Sequence, residues 1–231
     1  MVCPHAGYVY SGPAAAHSYF HLASEAKPDS VVVLGPNHTG LGGPVSMGGT
    51  GAWETPLGRV KIDEELAKSI FESSDIIDVD EMAHAREHSI EVQLPFLQYV
   101  YGDFRFVPIC MGFQDLETSR EVGRSIAKVT EGRNALIIAS TDLSHMESQS
   151  SANVKDRGVI ERILSLDEAA LQEWVRSKRV SMCGYGPVSA AIVASKLLGA
   201  KKAEFLAYNT SGDVTGDLSA VVGYAAIKIT R

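Results

Sequence analysis

The chain has 231 residues, of which 45% are hydrophobic and 21% charged, a balance typical of a folded globular protein and not of a disordered one. Its formal net charge of −7 argues against a general nucleic-acid binder, which needs lysine and arginine concentrated on one face. No apolar stretch of about 18 residues is free of charge, and the first residues do not form a signal peptide. We therefore expect a cytoplasmic protein that does not span a membrane.

Short apolar runs alternate with longer helical segments along the chain. The predicted strands are 31–34, 106–110, 135–139, 204–208 and 221–229. The predicted helices are 13–26, which Ser11-Gly12-Pro13 would start, and 63–73, 87–101, 116–129, 154–165, 167–178 and 187–198. The Gly-rich stretch 40–58 is expected to form a long excursion, with a β-hairpin as one form.

This alternation predicts βαβ crossovers and hence an α/β fold, a three-layer α/β/α arrangement around a mostly parallel sheet. The last two predicted strands are separated by a Gly-rich polar stretch, so they are free to pair differently. No repeat or low-complexity linker divides the chain, and residues 1–231 are predicted to form one domain.

Three segments with reactive side chains follow predicted strands or a strand stub. His5 follows a two-residue apolar stub, and His38 follows the first predicted strand. Asp142 and His145 follow the third predicted strand. Ligands bind at the carboxyl edge of open parallel sheets, so we expect these side chains to converge there.

Two further segments lie next to predicted helices. Glu87 and Glu91 would share one face of a helix that opens at Glu87. Cys183 lies in a Gly-flanked turn before the last predicted helix, whereas Cys3 and Cys110 lie in apolar runs and are assigned to the core. Imidazole and thiolate groups suit iron, copper or zinc, while magnesium and calcium prefer oxygen ligands. Two His and one Cys would leave a coordination position open, as catalytic sites require.

Five segments in order carry a resemblance to a known family. They are Pro-His-Ala-Gly-Tyr at 4–8, Gly-Pro-Asn-His at 35–38, Glu-His-Ser-Ile-Glu at 87–91, Asp-Leu-Ser-His at 142–145 and Cys-Gly-Tyr-Gly-Pro at 183–187. This ordered set resembles the Memo family. Memo proteins are similar in fold to the extradiol, or class III, non-haem iron dioxygenases, so the resemblance implies a dioxygenase-like α/β/α fold. Family members carry further residues before the first segment, so we expect the N-terminal leader of this chain to be short or missing.

The resemblance also implies residue roles. His5 and His38 would bind the metal, and Cys183 would stand where those dioxygenases have a carboxylate. His145 would be the catalytic acid or base, with Asp142 supporting the site. Apart from the resemblance, the nearby Asp142 is expected to orient His145 or to raise its pKa. Fe(II) is the first expectation, with copper or zinc as alternatives because a thiolate shifts the preference toward them. Ring-cleaving activity is not inherited from a fold alone.

Four neighbouring residues complete the predicted site. Glu87 and His88 are candidates to bind the second N–H of a metal-bound histidine, although Glu87 also suits the N-terminus of a helix. Tyr8 and Tyr185 are expected to line the pocket.

Three functions fit this site. The first is a metal-dependent oxidoreductase acting on a small, catechol-like or other substrate. The second is a non-catalytic peptide- or protein-binding module with a vestigial metal pocket. Bacterial and archaeal relatives tend to be encoded beside a radical-SAM protein and an AMMECR1-type protein, so the resemblance implies these as partners. The third, a zinc hydrolase, fits the ligand types but has no support from the resemblance.

Overall fold

A mixed sheet of eleven strands forms the centre of the computed structural model, which describes residues 1–231. The strands are β1 (Val2–Cys3), β2 (Ser30–Pro36), β3 (Val45–Met47), β4 (Ala52–Thr55), β5 (Gly58–Ile62), β6 (Asp78–Val79), β7 (Arg105–Met111), β8 (Ala135–Ser140), β9 (His145–Glu147), β10 (Lys202–Thr210) and β11 (Val221–Thr230). The main order is β10-β11-β1-β8-β2-β7-β3-β6. All five predicted strands are confirmed.

Strands β1, β8, β2 and β7 form the parallel centre of this sheet. The last two strands, β10 and β11, pair antiparallel, and β11 also pairs antiparallel with β1. Every residue of β2 is buried, as expected for a strand covered by helices on both faces. The predicted α/β fold with a mostly parallel central sheet is therefore confirmed.

Eight α-helices pack in two groups around the sheet. They are α1 (Tyr8–Ala23), α2 (Glu64–Glu72), α3 (Leu94–Tyr101), α4 (Leu116–Thr130), α5 (Gln149–Leu164), α6 (Glu168–Ser177), α7 (Tyr185–Leu197) and α8 (Ser211–Thr215). Helices α1, α3 and α8 form one group, and α2, α4, α5, α6 and α7 form the other. No helix is both long and apolar enough to cross a membrane.

Three predicted helix starts are wrong, and one of them is that of α5, which begins at Gln149 and not at residue 154. Helix α1 begins at Tyr8, so Pro13 lies inside it and does not mark its first turn. The predicted helix 87–101 begins only at Leu94, after a 3₁₀ turn at Glu91–Gln93. The cause lies at Glu87, whose carboxylate accepts hydrogen bonds from the backbone N–H groups of the next two residues. Such local bonds compete with the helix, so Glu87 and Glu91 do not share a helix face.

The Gly-rich excursion contains the hairpin that the sequence suggested. Strands β4 and β5 pair antiparallel from Ala52↔Lys61 to Thr55↔Gly58, and β3 adds a short antiparallel partner to β7. Gly58 has a φ of +116°, a conformation that L side chains rarely adopt. This turn requires glycine.

Candidate metal centre

Neighbouring strands position the predicted ligands. His5 lies two residues beyond β1 and His38 two residues beyond β2, while β8 runs between these strands and ends at Ser140. Cys183 precedes α7. One ligand atom from each of His5, His38 and Cys183 can be chosen so that all three lie within 4.8 Å of one another. The structure thus brings together three side chains that are up to 178 residues apart in sequence.

His5 is held on both sides of its ring. Its Nδ1 lies 2.9 Å from Ser140 Oγ, its backbone N–H donates to Asp142 Oδ1 at 2.8 Å, and its Nε2 lies 3.3 Å from Cys183 Sγ. Burial lowers the pKa of His5 from 6.5 to about 4, against the opposing effect of the Asp142 carboxylate. The ring is therefore neutral at pH 7, which is the form that binds metals.

His38 is supported by a carboxylate. Glu87 Oε1 lies 2.9 Å from His38 Nδ1, and Glu87 Oε2 accepts the backbone N–H of His38 at 2.6 Å. Burial favours the neutral carboxyl group, but the hydrogen bonds from His38 and Ser89 outweigh it and lower the pKa of Glu87 from 4.5 to about 2. The hydrogen bond that His38 donates to Glu87 is the main cause that raises the pKa of His38. This is the support that metal-binding histidines usually have.

Cys183 is a protonated thiol in the metal-free protein. Burial and then the Asp142 carboxylate raise its pKa to about 12, although Asp142 N–H donates to Sγ at 3.2 Å. Metal binding would have to release this proton. The backbone carbonyl of Cys183 accepts from Gln114 Nε2 at 2.9 Å, which fixes the turn before α7.

The spacing of the donor atoms fits a metal. With metal–nitrogen and metal–sulfur bonds of ~2.0 and ~2.3 Å, an N–metal–S angle between 90° and tetrahedral separates the two atoms by roughly 3.0–3.5 Å. The 3.3 Å between His5 Nε2 and Cys183 Sγ falls in that range. Two neutral imidazoles and one thiolate suit iron, copper or zinc.

A second group, His38 with Glu87 and His88, also brings possible ligand atoms within 4.8 Å. In that group Glu87 already accepts from His38 Nδ1 and from three backbone N–H groups at 2.6–2.9 Å. A carboxylate committed in this way is a poor metal ligand. His88 is half exposed and stacks on His38 with 4.8 Å between ring centroids. We therefore treat Glu87 as the residue that supports His38. We treat His88 as a half-exposed residue at the edge of the His/His/Cys group.

His145 is oriented differently from our expectation. Its Nδ1 lies 2.8 Å from the Leu143 carbonyl and 2.9 Å from the Ser181 carbonyl. Both partners only accept, so in its neutral form His145 carries the proton on Nδ1 and a lone pair on Nε2. The prediction that Asp142 orients His145 is wrong, because the Asp142 carboxylate accepts from the backbone of His5 and approaches its ring to 3.9 Å. Asp142 therefore supports the centre from the His5 side.

The two predicted pocket tyrosines lie in different places. Tyr8 is half exposed, and its hydroxyl donates to the Val92 carbonyl at 3.1 Å. Tyr185 lines a cleft of about 700 Å³ that also contains Asp115 and Gln172. The roles of both remain predictions.

Sequence reasoning missed Ser140, Gln93 and Ser181. Ser140 and Gln93 are fully buried polar residues. The Ser140 hydroxyl is hydrogen-bonded to His5 Nδ1, and Gln93 Nε2 donates to the carbonyl of Pro4, the residue before His5. The available signal was position, since Ser140 ends a central strand at the same edge as His5 and His38. Ser181 shows no comparable signal, because only the folded turn places its carbonyl beside His145.

His84 lies near this region without hydrogen-bond partners. It is 9% exposed, neither ring nitrogen has a partner, and its ring centroid lies 5.3 Å from that of Trp53. Burial lowers the pKa of His84 from 6.5 to about 4. The unfolded chain therefore binds a proton below pH 6.5 that the folded chain takes up only near pH 4, so stability falls as the pH drops through this window.

Replacing His84 with leucine is expected to remove this acid sensitivity. Between pH 8 and pH 5 the variant should lose about 1–2 kcal/mol less unfolding free energy than the wild type. Urea titrations of the metal-free proteins at both pH values measure the difference. His17→Leu, at an exposed histidine, is the control and should behave like the wild type. Equal losses in His84→Leu and wild type would contradict the expectation.

Together, the fold and these residues define an α/β protein with a candidate His/His/Cys metal centre at the carboxyl edge of a mostly parallel sheet. A family model described as Memo-like protein matches residues 1–228. The chain belongs to the Memo family, as its five ordered segments predicted.

Curated relatives agree with this assignment. The MEMO1 family protein of Methanopyrus kandleri is 58% identical over 234 residues, covering 100% of this chain and 83% of that protein. The MEMO1 family protein of Methanocaldococcus jannaschii is 54% identical, covering 98% of this chain and 82% of that protein. Among solved structures, an uncharacterized protein from Escherichia coli K12 has a TM-score of 0.60 at 13% identity and covers 92% of both chains. At that identity the likeness shows the fold alone.

Proposed function

We propose that this protein is a metal-dependent oxidoreductase whose His5, His38 and Cys183 hold Fe(II) and whose substrate is a small, catechol-like molecule. The observation that carries the proposal is the grouping of these three side chains within 4.8 Å, with both imidazoles held by protein partners at Nδ1. When bound, Fe(II) supplies one-electron redox chemistry that the side chains lack, with a position left open for substrate.

The charges of the centre support a divalent ion. Cys183 would bind as a thiolate, and the ionised Glu87 lies one hydrogen bond behind His38. With the Asp142 carboxylate, which lies 3.9 Å from His5 Nε2, these groups surround the centre with negative charge, and this favours a doubly charged metal. The neutral His5 adds a ligand without adding charge.

His145 is the proposed acid or base. With Nδ1–H held by the carbonyls of Leu143 and Ser181, its Nε2 is free to take a proton from a substrate hydroxyl and return it later. Ser181 lies two residues before Cys183, so the same turn positions the base and a metal ligand.

Replacing His145 with alanine is expected to lower turnover by roughly 10²- to 10⁴-fold, because a positioned acid or base contributes about that much. Its metal content should stay at the wild-type value, since the proposed metal ligands are His5, His38 and Cys183. Turnover and elemental content measured on the same preparation check both parts. Wild-type turnover in this variant would remove His145 from the mechanism.

Metal content decides between the oxidoreductase and its alternatives. The protein should be purified anaerobically without chelators, supplied with iron, copper and zinc in turn, and analysed for bound metal. Oxygen consumption is then followed with a panel of catechols. Retained iron with iron-dependent consumption supports the proposal. Retained copper with copper-dependent oxygen consumption would mean that the metal of the oxidoreductase is copper and not iron. Retained zinc with ester or amide hydrolysis would favour a zinc hydrolase.

A chain that stays free of all three metals contradicts the proposal. If that metal-free chain binds an AMMECR1-type or radical-SAM protein, of the kinds encoded beside bacterial and archaeal relatives, the binding-module function is favoured instead. Pull-down with these two purified proteins is the corresponding measurement.

A further inference from the structure

A chain of buried polar side chains connects helix α1 to His5. The Tyr19 hydroxyl donates to Gln93 Oε1 at 2.6 Å, and Gln93 Nε2 donates to Ser140 Oγ at 2.8 Å. Ser140 Oγ lies 2.9 Å from His5 Nδ1. All four residues are at most 3% exposed, so these bonds do not compete with bulk water.

The orientation of Gln93 follows from its partners. The Pro4 carbonyl, 2.9 Å from Gln93 Nε2, can only accept, so the NH₂ group must face it. The second hydrogen of Nε2 is then directed to Ser140 Oγ, and Oε1 accepts from Tyr19. Gln93 therefore reaches Ser140 as a donor.

The proton positions at Ser140 and His5 follow in turn. A serine oxygen has one hydrogen and two lone pairs, and the Ser89 carbonyl accepts that hydrogen. Both lone pairs of Ser140 Oγ then accept, one from Gln93 and one from His5. His5 must carry its proton on Nδ1, which leaves the lone pair on Nε2 beside Cys183.

The same short segment fixes His38. The Glu87 carboxylate accepts only, so the His38 proton also lies on Nδ1. Ser89 joins the two arrangements, because its N–H donates to Glu87 Oε1 and its hydroxyl donates to the Pro36 carbonyl, each at 2.9 Å. Its own carbonyl takes the hydrogen of Ser140.

We propose that segment 87–93 sets the tautomers of both histidine ligands, through Glu87 on His38 and through Ser89 and Gln93, by way of Ser140, on His5. Both imidazoles then present Nε2 before a metal arrives. The inference rests on the proposed function for the identity of the ligands. Ser140 and Gln93 are positioning residues, since they act on the metal only through His5.

The tautomer of His5 is directly measurable. In ¹⁵N spectra of the metal-free wild type near neutral pH, His5 should show a protonated Nδ1 and an unprotonated Nε2. Ser140→Ala removes the acceptor for the Nδ1–H of His5, so the fraction of His5 that carries its proton on Nε2 should increase in this variant. Its Zn(II) affinity, measured by competition with a chromophoric chelator, should fall by roughly 10- to 100-fold, the usual effect of losing a partner of a metal-bound histidine.

Two further variants separate positioning from general stability. Ser140→Thr keeps the hydroxyl and should retain the wild-type tautomer and Zn(II) affinity. Ser125→Ala removes a buried hydroxyl on α4 that donates to the Ser73 carbonyl at 3.3 Å, and it should leave both readouts unchanged.

A wild-type His5 protonated on Nε2 would overturn the inference, and so would wild-type Zn(II) affinity in Ser140→Ala. If Ser140→Ala does not fold, the wild-type tautomer still decides. The spectrum needs neither metal nor substrate, so the expected tautomer without iron-dependent turnover counts against the proposed function alone.

Discussion

Fe(II) affinity is expected to fall by about 100-fold or more when Cys183 is replaced by serine, because losing a direct ligand should cost at least as much as losing a partner of one. A serine hydroxyl does not ionise near neutral pH and replaces a soft thiolate with a neutral oxygen. Affinity is measured anaerobically by chelator competition. Cys110→Ala is the matched control, since Cys110 is a buried free cysteine outside the ligand group.

Cys183→Asp tests what the cysteine does for metal choice. This variant has two histidines and one carboxylate, the usual ligand set of non-haem Fe(II) oxygenases. We expect it to bind Fe(II) better than Cys183→Ser and to prefer copper and zinc less than the wild type does.

For the first variant, Cys183→Ser, an Fe(II) affinity equal to that of the wild type would show that the metal binds elsewhere.

The parts of the fold that sequence predicted are those governed by local pattern and burial. The run Val31–Leu34 is β-branched and apolar, and it forms the middle of a strand that is buried along its whole length. The convergence of His5 and His38 also followed from the sequence, because both lie just beyond strands that run parallel to β8. Cys183 precedes a helix and follows no strand, so its Gly-flanked turn made it only a candidate, and the family resemblance gave it the role of a ligand.

The parts that sequence missed depend on side-chain bonds made after folding. The sequence around Glu87 is typical of a helix start. In the structure its carboxylate accepts hydrogen bonds from the backbone of its own segment and of His38, so the helix begins only at Leu94. Asp142 lies three residues before His145 and was assigned to it, but the fold turns its carboxylate toward His5. Asp142 binds a distant segment, and the local bonds of Glu87 to His88 and Ser89 form together with its bonds to the distant His38, so the linear sequence has no pattern for either outcome.

Glu87→Gln is expected to weaken both metal binding and the fold. An amide places an NH₂ group among four hydrogen-bond donors, and His38 loses the carboxylate that holds its Nδ1–H. Metal affinity should fall by roughly 10- to 100-fold. A pKa lowered from 4.5 to about 2 corresponds to roughly 3 kcal/mol of stability in the metal-free protein at pH 7.

The pH dependence distinguishes this effect from general damage. The stability that ionised Glu87 contributes is fully present above pH 4.5 and is lost as the pH falls through about 2, because the unfolded chain takes up the proton first. The gap in unfolding free energy between wild type and Glu87→Gln should therefore narrow as the pH falls below 4.5. Above pH 5 the gap should instead widen as the pH falls, because ionised Glu87 also raises the pKa of His38 in the wild type. Urea titrations across this range measure it, with the exposed Glu91→Gln as control. A gap that stays constant down to pH 2.5 would mean that Glu87 acts through its shape and not through its charge.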